Sequence, residues 1–344
     1  MWISNTATTI MMFAVGLSVI EFIAQKAPDR LMVRNFGVAL MLGIAYSASI
    51  GGVGTLIGTP PNALLASFLQ SNYNIQIDFF TWMKLGVPVV LVMLPIAWLL
   101  LTRVIFPVRD LNIGDASGVI RDELATLGSM SKGEKAVAIV FACAAFGWIF
   151  RKQLADWTGL PINDTAIAML AATVLFAWPI SREKGHFALD WEAARNVPWG
   201  VLLLFGGGLA LAGGFKGTGL AEWIGSGVSG FDVSTWVLVF IVTVAIVYLT
   251  EITSNTASTA TFLPILGAVA VGLGLDPRML AIPVALGASM AFMMPVATPP
   301  NAIVFSYEEM HLGDMVRAGF WLNIAAVFVS FGAMYFLAPI VFGL

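Results

Sequence analysis

Residues 248–266 read YLTEITSNTASTATFLPIL, a run in which Ser254-Asn255-Thr256 interrupts a segment otherwise apolar enough to lie within a membrane. The tripeptide also stands at Ser4-Asn5-Thr6, and each copy is followed about fifty residues later by Thr-Pro-Pro-Asn, at 59–62 and 298–301. A motif duplicated in this order marks an internal repeat. Its polar letters fall where an unpaired polar group costs several kcal/mol, so the segments that carry them must be buried in protein or line a watery cavity.

Composition agrees. Of 344 residues 59% are hydrophobic and 11% charged, and the mean hydropathy is +0.90. That leaves too little polar surface for a water-soluble globule and indicates a polytopic membrane protein. The single cysteine, Cys143, excludes a disulfide framework, and its apolar surroundings (VAIVFACAAFGWIF) predict a small buried hydrophobe. A net charge of -3 points to no nucleic-acid partner.

Apolar runs lie near 7–25, 36–50 into 61–69, 82–106, 134–150, 162–180, 197–213, 234–253 with 257–273, 279–296 into 300–306, and 317–342. GGVGTLIGTPPN breaks one and PVATPP another, because glycine permits unusual backbone angles and proline removes a donor. With the 26–35 loop on the cytoplasmic side, twelve of the 17 basic residues fall inside, among them Arg109, Arg121, Arg182 and Lys184. The predicted fold is all-α, with inverted repeats, each a re-entrant hairpin, a broken helix and a full helix, and a binding site where the broken helices meet. The expected divisions are a first repeat at 1–106, a cytoplasmic linker at 107–133, scaffold helices within 134–233 and a second repeat at 234–344.

Ser, Asn and Thr favour helix N-caps and proline the first helical position. Four helices are therefore expected to begin inside the cavity, at about Ala7, Pro60, Ala257 and Pro299. Their free N–H groups and dipoles would form an anion site without arginine, and a substrate with two carboxylates would be held by one threonine and one helix start from each repeat. The Asn carbonyls, Ser hydroxyls and freed backbone carbonyls near Gly58 and Ala297 are neutral hard oxygens that suit Na⁺, whereas the carboxylates that Ca²⁺ or Mg²⁺ would want are missing from these loops.

The segments MWISNTATTIMM, IGGVGTLIGTPPNALL, YLTEITSNTASTATFLPIL and MPVATPPNAIVF resemble the divalent anion:sodium symporters, the Na⁺-coupled dicarboxylate and citrate carriers. The resemblance implies that Asn5, Thr6, Asn255 and Thr256 contact the substrate, with Thr59 and Pro299 nearby. It implies one Na⁺ site at Ser4, Asn5 and Gly58 and another at Thr250, Thr253, Asn255 and Ala297. It further implies a homodimer in which a transport domain, 1–106 with 234–344, moves like an elevator against a scaffold. The expected activity is import of succinate, malate or fumarate with Na⁺ across the inner (plasma) membrane, without an organic cofactor. The alternatives are a sulfate or tricarboxylate carrier, a Na⁺-independent exchanger or an inactive remnant. On the same resemblance the chain begins at the tip of the first hairpin and is expected to be an N-terminally incomplete carrier.

Other features are read plainly. Gly206-Gly207-Gly208 suggests close helix packing rather than a nucleotide loop. His186 and His311 are loop residues. Trp2, Trp82, Trp157, Trp191, Trp199 and Trp321 suggest an interfacial belt. Glu251, three residues before Ser254, is a coupling carboxylate, an acceptor for neighbouring backbone or the partner of a loop cation. No nucleophile, base and orienting group cluster, so no enzyme is expected.

Overall fold

The computed structural model describes all residues except 27–29, 109–124, 126–127, 182–184, 196–198, 221–222 and 224–233. Most of the predicted linker lies outside the described residues, as do Arg109, Arg121, Arg182 and Lys184. The architecture is all-α, as the hydropathy pattern requires. In chain order the helices are α1 (Asn5–Lys26), α2 (Arg30–Val53), α3 (Pro60–Tyr73), α4 (Phe79–Leu99), α5 (Lys132–Ile149), α6 (Arg151–Thr158), α7 (Asp164–Ala177), α8 (Trp191–Ala194) and α9 (Trp199–Gly217). They continue as α10 (Thr235–Leu249), α11 (Asn255–Gly272), α12 (Arg278–Ala288), α13 (Pro299–Phe305), α14 (Leu312–Gly332) and α15 (Ala338–Phe342). Among the described residues the only strands are β1 (Pro179–Ser181) and β2 (His186–Phe187), a small antiparallel pair between α7 and α8.

Among the described residues five helical spans are long and apolar enough to cross a bilayer, or six if the pair α5 and α6, bent by 80°, counts as one. The remaining motif helices are too short. At 1.5 Å per residue α10 reaches about 22 Å, short of the roughly 30 Å hydrocarbon core, as an arm that turns back would be. The two repeats share their order of elements: a helix opening at Ser-Asn-Thr, a helix that stops, a half-helix opening at Thr-Pro-Pro-Asn, and a long helix. Both long helices end in a π-helical turn, Leu100–Ile105 after α4 and Ala333–Leu337 after α14.

The chain packs as two compact units. One comprises Met1–Ile77, Thr81–Ala116 and Val201–Leu344, and the other Asp78–Phe80 with Ser117–Gly200. In the first unit the helices of the two repeats interleave: α1 packs on α2 and α13, α11 on α12 and α3, and α13 also on α2. In the second, α5 packs on α7, and its first turn is closed by a capping box in which Glu134 N donates to Ser131 Oγ and Ser131 N to Glu134 Oε2. Arg151, 8% exposed, stands between Asp78 and Asp164, while Phe79 stacks on Trp148 at 5.2 Å.

Several expectations are corrected. Trp82 is not part of a belt: it is fully buried and its indole donates to Val53 O at 2.9 Å, because helix α2 stops there and leaves that carbonyl unpaired. Trp157, Trp191, Trp199 and Trp321 are exposed. Cys143 is exposed rather than buried, one turn after exposed Ile139 on α5, and Val137 and Phe141 are exposed elsewhere around the same helix. Of the three consecutive glycines only Gly208 meets a neighbour, Ala260 of α11; nothing stands within 4 Å of a side chain at Gly206 or Gly207. Helix α12 ends at Ala288 and does not run to 296, for a reason that lies in Glu251.

Candidate functional site

Each Ser-Asn-Thr opens a helix, two residues earlier than the expected starts at about Ala7 and Ala257. Ser4 Oγ accepts from Ala7 N and Ser254 Oγ from Ala257 N, both at 3.2 Å, so the serines are the caps and the helices start at Asn5 and Asn255. Thr6 and Thr256 then occupy the second helical position of two equivalent helices. The Thr-Pro-Pro-Asn helices also match. Thr59 and Thr298 have nearly the same extended backbone, φ/ψ -144°/143° and -142°/147°, and each precedes Pro-Pro at the helix start. Thr298 Oγ1 caps Asn301 N at 3.2 Å, whereas Thr59 makes no side-chain cap.

The threonines divide sharply by what their hydroxyls do. Thr8, Thr9, Thr253 and Thr259 donate back to a carbonyl one turn earlier, Thr55 donates to Met1 O, and Thr250 is bonded to Asn255 and Ala288. Among the described residues no hydrogen bond engages the hydroxyls of Thr6, Thr59 or Thr256, although Thr59 and Thr256 are only 3% and 9% exposed. Because α1 packs on α13 and α11 on α3, each Ser-Asn-Thr helix rests against the Thr-Pro-Pro-Asn half-helix of the other repeat.

Around the first motif Asn5 lies against Gly52, whose hydrogen leaves room that any Cβ would take from the amide. With its nitrogen turned toward the carbonyls, the Asn5 amide donates to Ala48 O at 2.8 Å and Gly58 O at 3.2 Å. Asn5 and Gly58 are therefore together, and Ser4 is at the cap one residue away. Around the second motif Thr250 Oγ1 donates to Asn255 Oδ1 at 2.8 Å and lies 3.3 Å from Ala288 O. Thr253 commits its hydroxyl to Leu249 O and to Ser258, which leaves its carbonyl as the group it has to offer. Ala297 sits in the break, its N–H donating to Met294 O at 3.2 Å, and Pro299 opens α13.

Sequence reasoning missed the residue that shapes each break. Asn62 and Asn301, the last letters of the two motifs, are fully buried. Asn62 Nδ2 donates to Gly52 O, Val53 O and Thr55 O at 3.3, 3.3 and 2.8 Å, and Asn301 Nδ2 to Ala291 O and Met294 O at 3.2 and 3.0 Å. A helix that stops in a membrane leaves carbonyls without donors, and one amide in each repeat supplies them. The signal was present in the sequence, since both motifs end in Asn. Nine residues before each Asn stands a carbonyl served by an aromatic donor: Trp82 Nε1 for Val53 and Tyr46 OH, at 2.7 Å, for Phe292. Gly86 and Gly319 on the following long helices leave the space those carbonyls occupy.

Glu251 is 3% exposed and faces no counter-ion among the described residues. Its Oε1 accepts from Phe292 N at 2.7 Å, Met293 N at 3.0 Å and Asn323 Nδ2 at 2.7 Å, and its Oε2 from Met293 N and Met294 N, both at 3.0 Å. These three consecutive N–H groups point at the carboxylate instead of at helical carbonyls, which is why α12 cannot continue to 296. Among the described residues no group of three or more His, Cys, Asp or Glu could hold a metal. His311 is the N-cap of α14, its N–H donating to Asp314 at 3.1 Å.

Relatives with assigned roles bear on this geometry. The chain is 41% identical over 353 residues to the sodium-dependent dicarboxylate transporter SdcS of Staphylococcus saprophyticus, an alignment that covers all of this chain and 68% of the relative. It is 38% identical over 352 residues to the protein of the same name in Staphylococcus aureus strain USA300, with the same coverage. A family described as the sodium:sulfate symporter transmembrane region matches residues 1–342. The chain belongs to that family, the divalent anion:sodium symporters to which its paired motifs pointed, and so to a group of membrane transporters and not of enzymes.

Proposed function

We propose that this protein is a secondary active carrier that imports a small dicarboxylate, of the succinate, malate or fumarate type, together with Na⁺. The observation that carries the reading is the pair of uncommitted hydroxyls, Thr6 and Thr256, at the second positions of two equivalent helices whose N-termini are capped and polar. Each has an N–H-rich helix start beside it to neutralise a carboxylate. Two such positions suit an anion with a carboxylate at each end better than a compact tetrahedral anion. The relatives named as sodium-dependent dicarboxylate transporters support the same substrate class.

In this reading Asn5, Thr6, Thr59, Asn255, Thr256 and Pro299 line the substrate site. One Na⁺ is held by Ser4, Asn5 and the Gly58 carbonyl, and another by Thr250, Thr253, Asn255 and the Ala297 carbonyl. The donors are neutral oxygens, which suit a hard monovalent cation, without the carboxylates that a Ca²⁺ or Mg²⁺ site would want. The repeats are inverted, the parts 1–106 and 234–344 move as a transport domain against helices of 134–233, and two copies form a homodimer in the plasma membrane. The deciding experiment is radiolabelled succinate uptake by the complete protein in proteoliposomes. Uptake is expected in sodium and not in choline buffer; equal uptake in both would exclude Na⁺ coupling and favour an exchanger.

A further inference from the structure

The two repeats tie their helix breaks to their Ser-Asn-Thr turns in different ways. In the first repeat the ties are neutral: the Asn5 amide reaches Ala48 O and Gly58 O, and Thr55 Oγ1 donates to Met1 O. The residue three places before Ser4 is Met1, and its sulfur lies beside Gly54 of the break. In the second repeat the residue three places before Ser254 is Glu251, and its carboxylate takes the N–H groups of Phe292, Met293 and Met294. The clamp is transmitted onward. Met294, gripped at its N–H, accepts through its carbonyl from both Ala297 N and Asn301 Nδ2. On the other side Glu251 adjoins Thr250, which is bonded to Asn255. The carboxylate thus joins the two halves of one site, the 250–255 turn and the 291–298 break.

We propose that Glu251 is a positioning residue for the cation site of the second repeat: it holds Thr250 and Asn255 in register with the Ala297 carbonyl and gives this site a fixed negative charge where the equivalent position of the first repeat carries the neutral side chain of Met1. The two cation sites are then unequal, the second being the tighter. This rests on the Na⁺-coupled reading given above. The carboxylate is not a ligand here. Its oxygens are already occupied by five hydrogen bonds, and it acts through the backbone it restrains and through its charge, which is weakly screened away from water.

The test compares wild type, Glu251→Gln, Glu251→Asp and Asn323→Ala in the complete protein, reconstituted in proteoliposomes and checked for monodispersity. Two quantities are read: the Na⁺ half-saturation with its Hill slope, and the KM for succinate at saturating Na⁺. Glu251→Gln removes the charge and presents an NH₂ to backbone donors, so Na⁺ half-saturation should rise on the order of tenfold and the Hill slope fall toward one. The KM for succinate at saturating Na⁺ should stay within about threefold, because Thr6 and Thr256 are untouched and a bound Na⁺ holds Asn255, which the two sites share, in place. Glu251→Asp, which keeps the charge, should recover most of the Na⁺ affinity. If Glu251→Gln does not fold, Asn323→Ala decides: it removes one donor from the clamp and should raise Na⁺ half-saturation with little change in KM. A Na⁺-dependent wild type whose foldable variants leave Na⁺ half-saturation unchanged, or shift KM as strongly, overturns the positioning role alone. A wild type indifferent to Na⁺ overturns the transport reading and this inference with it.

Discussion

A hydroxyl in a membrane interior usually finds a carbonyl one turn back, and most threonines at these tips do so. Thr6 and Thr256 do not, and in the proposed reading they are the donors to the substrate. Thr6→Ala or Thr256→Ala removes one hydrogen bond to a charged acceptor, worth about 1.5 to 3 kcal/mol. Succinate affinity, measured by uptake, is expected to fall by one to two decades in either variant with expression unchanged; full affinity in both would remove the threonines from the site. Asn62 and Asn301 act differently, since their amides satisfy carbonyls and no substrate is involved. Asn62→Leu strands the Gly52 carbonyl and leaves Val53 O with Trp82 alone and Thr55 O with Gly58 N alone, at about 1 to 3 kcal/mol for the stranded group and less for the other two. Its melting temperature in detergent should drop well below that of Thr6→Ala, whatever substrate is present. Only the amide type was legible at these positions; that it faces inward to the break depends on where α3 folds back.

The breaks are the elements on which the site depends, and both are built by close approach. A Cβ on Gly58 would meet the Gly52 carbonyl, and one on Gly319 would meet the Phe292 carbonyl. Backbone cannot yield as a side chain can, so an added methyl must shift the break at roughly 1 to 3 kcal/mol of overpacking. Gly58→Ala and Gly319→Ala are each expected to lower the initial rate of uptake at least tenfold. Gly332→Ala, in a helix where nothing lies within 4 Å, should leave it unchanged and serves as the control. The breaks at Gly58 and Ala297 were foreseeable from the Gly and Pro letters. The stopping point of α12 at Ala288 was not, because its cause is a carboxylate about forty residues away in sequence.

At the scale of the whole molecule the proposed function raises the question of how a dianion would enter a compartment whose interior is negative. Moving two charges against 100 mV costs about 4.6 kcal/mol, which two Na⁺ cancel and a third turns into a driving force. An inside-negative potassium diffusion potential, imposed with valinomycin on proteoliposomes, is therefore expected not to slow Na⁺-driven succinate uptake. Marked slowing would mean fewer than two Na⁺ per substrate and would remove one of the two proposed cation sites.

The sequence by itself determined the solvent, the repeat and the oxygen chemistry. Each of these is written in composition and spacing: 59% hydrophobic residues, two Ser-Asn-Thr turns and two Thr-Pro-Pro-Asn starts. These are local quantities, and local physics, hydrocarbon burial and helix capping, reads them directly. The tertiary structure decided which polar groups are already taken. It placed Trp82 under a broken helix instead of at the interface and exposed Cys143. It showed that the serine caps each Ser-Asn-Thr helix, and gave Glu251 to the backbone of 292–294. Such outcomes follow from which donor meets which acceptor across the fold. A residue's letter gives its capacity for hydrogen bonds, and only its neighbours in space fill or free that capacity.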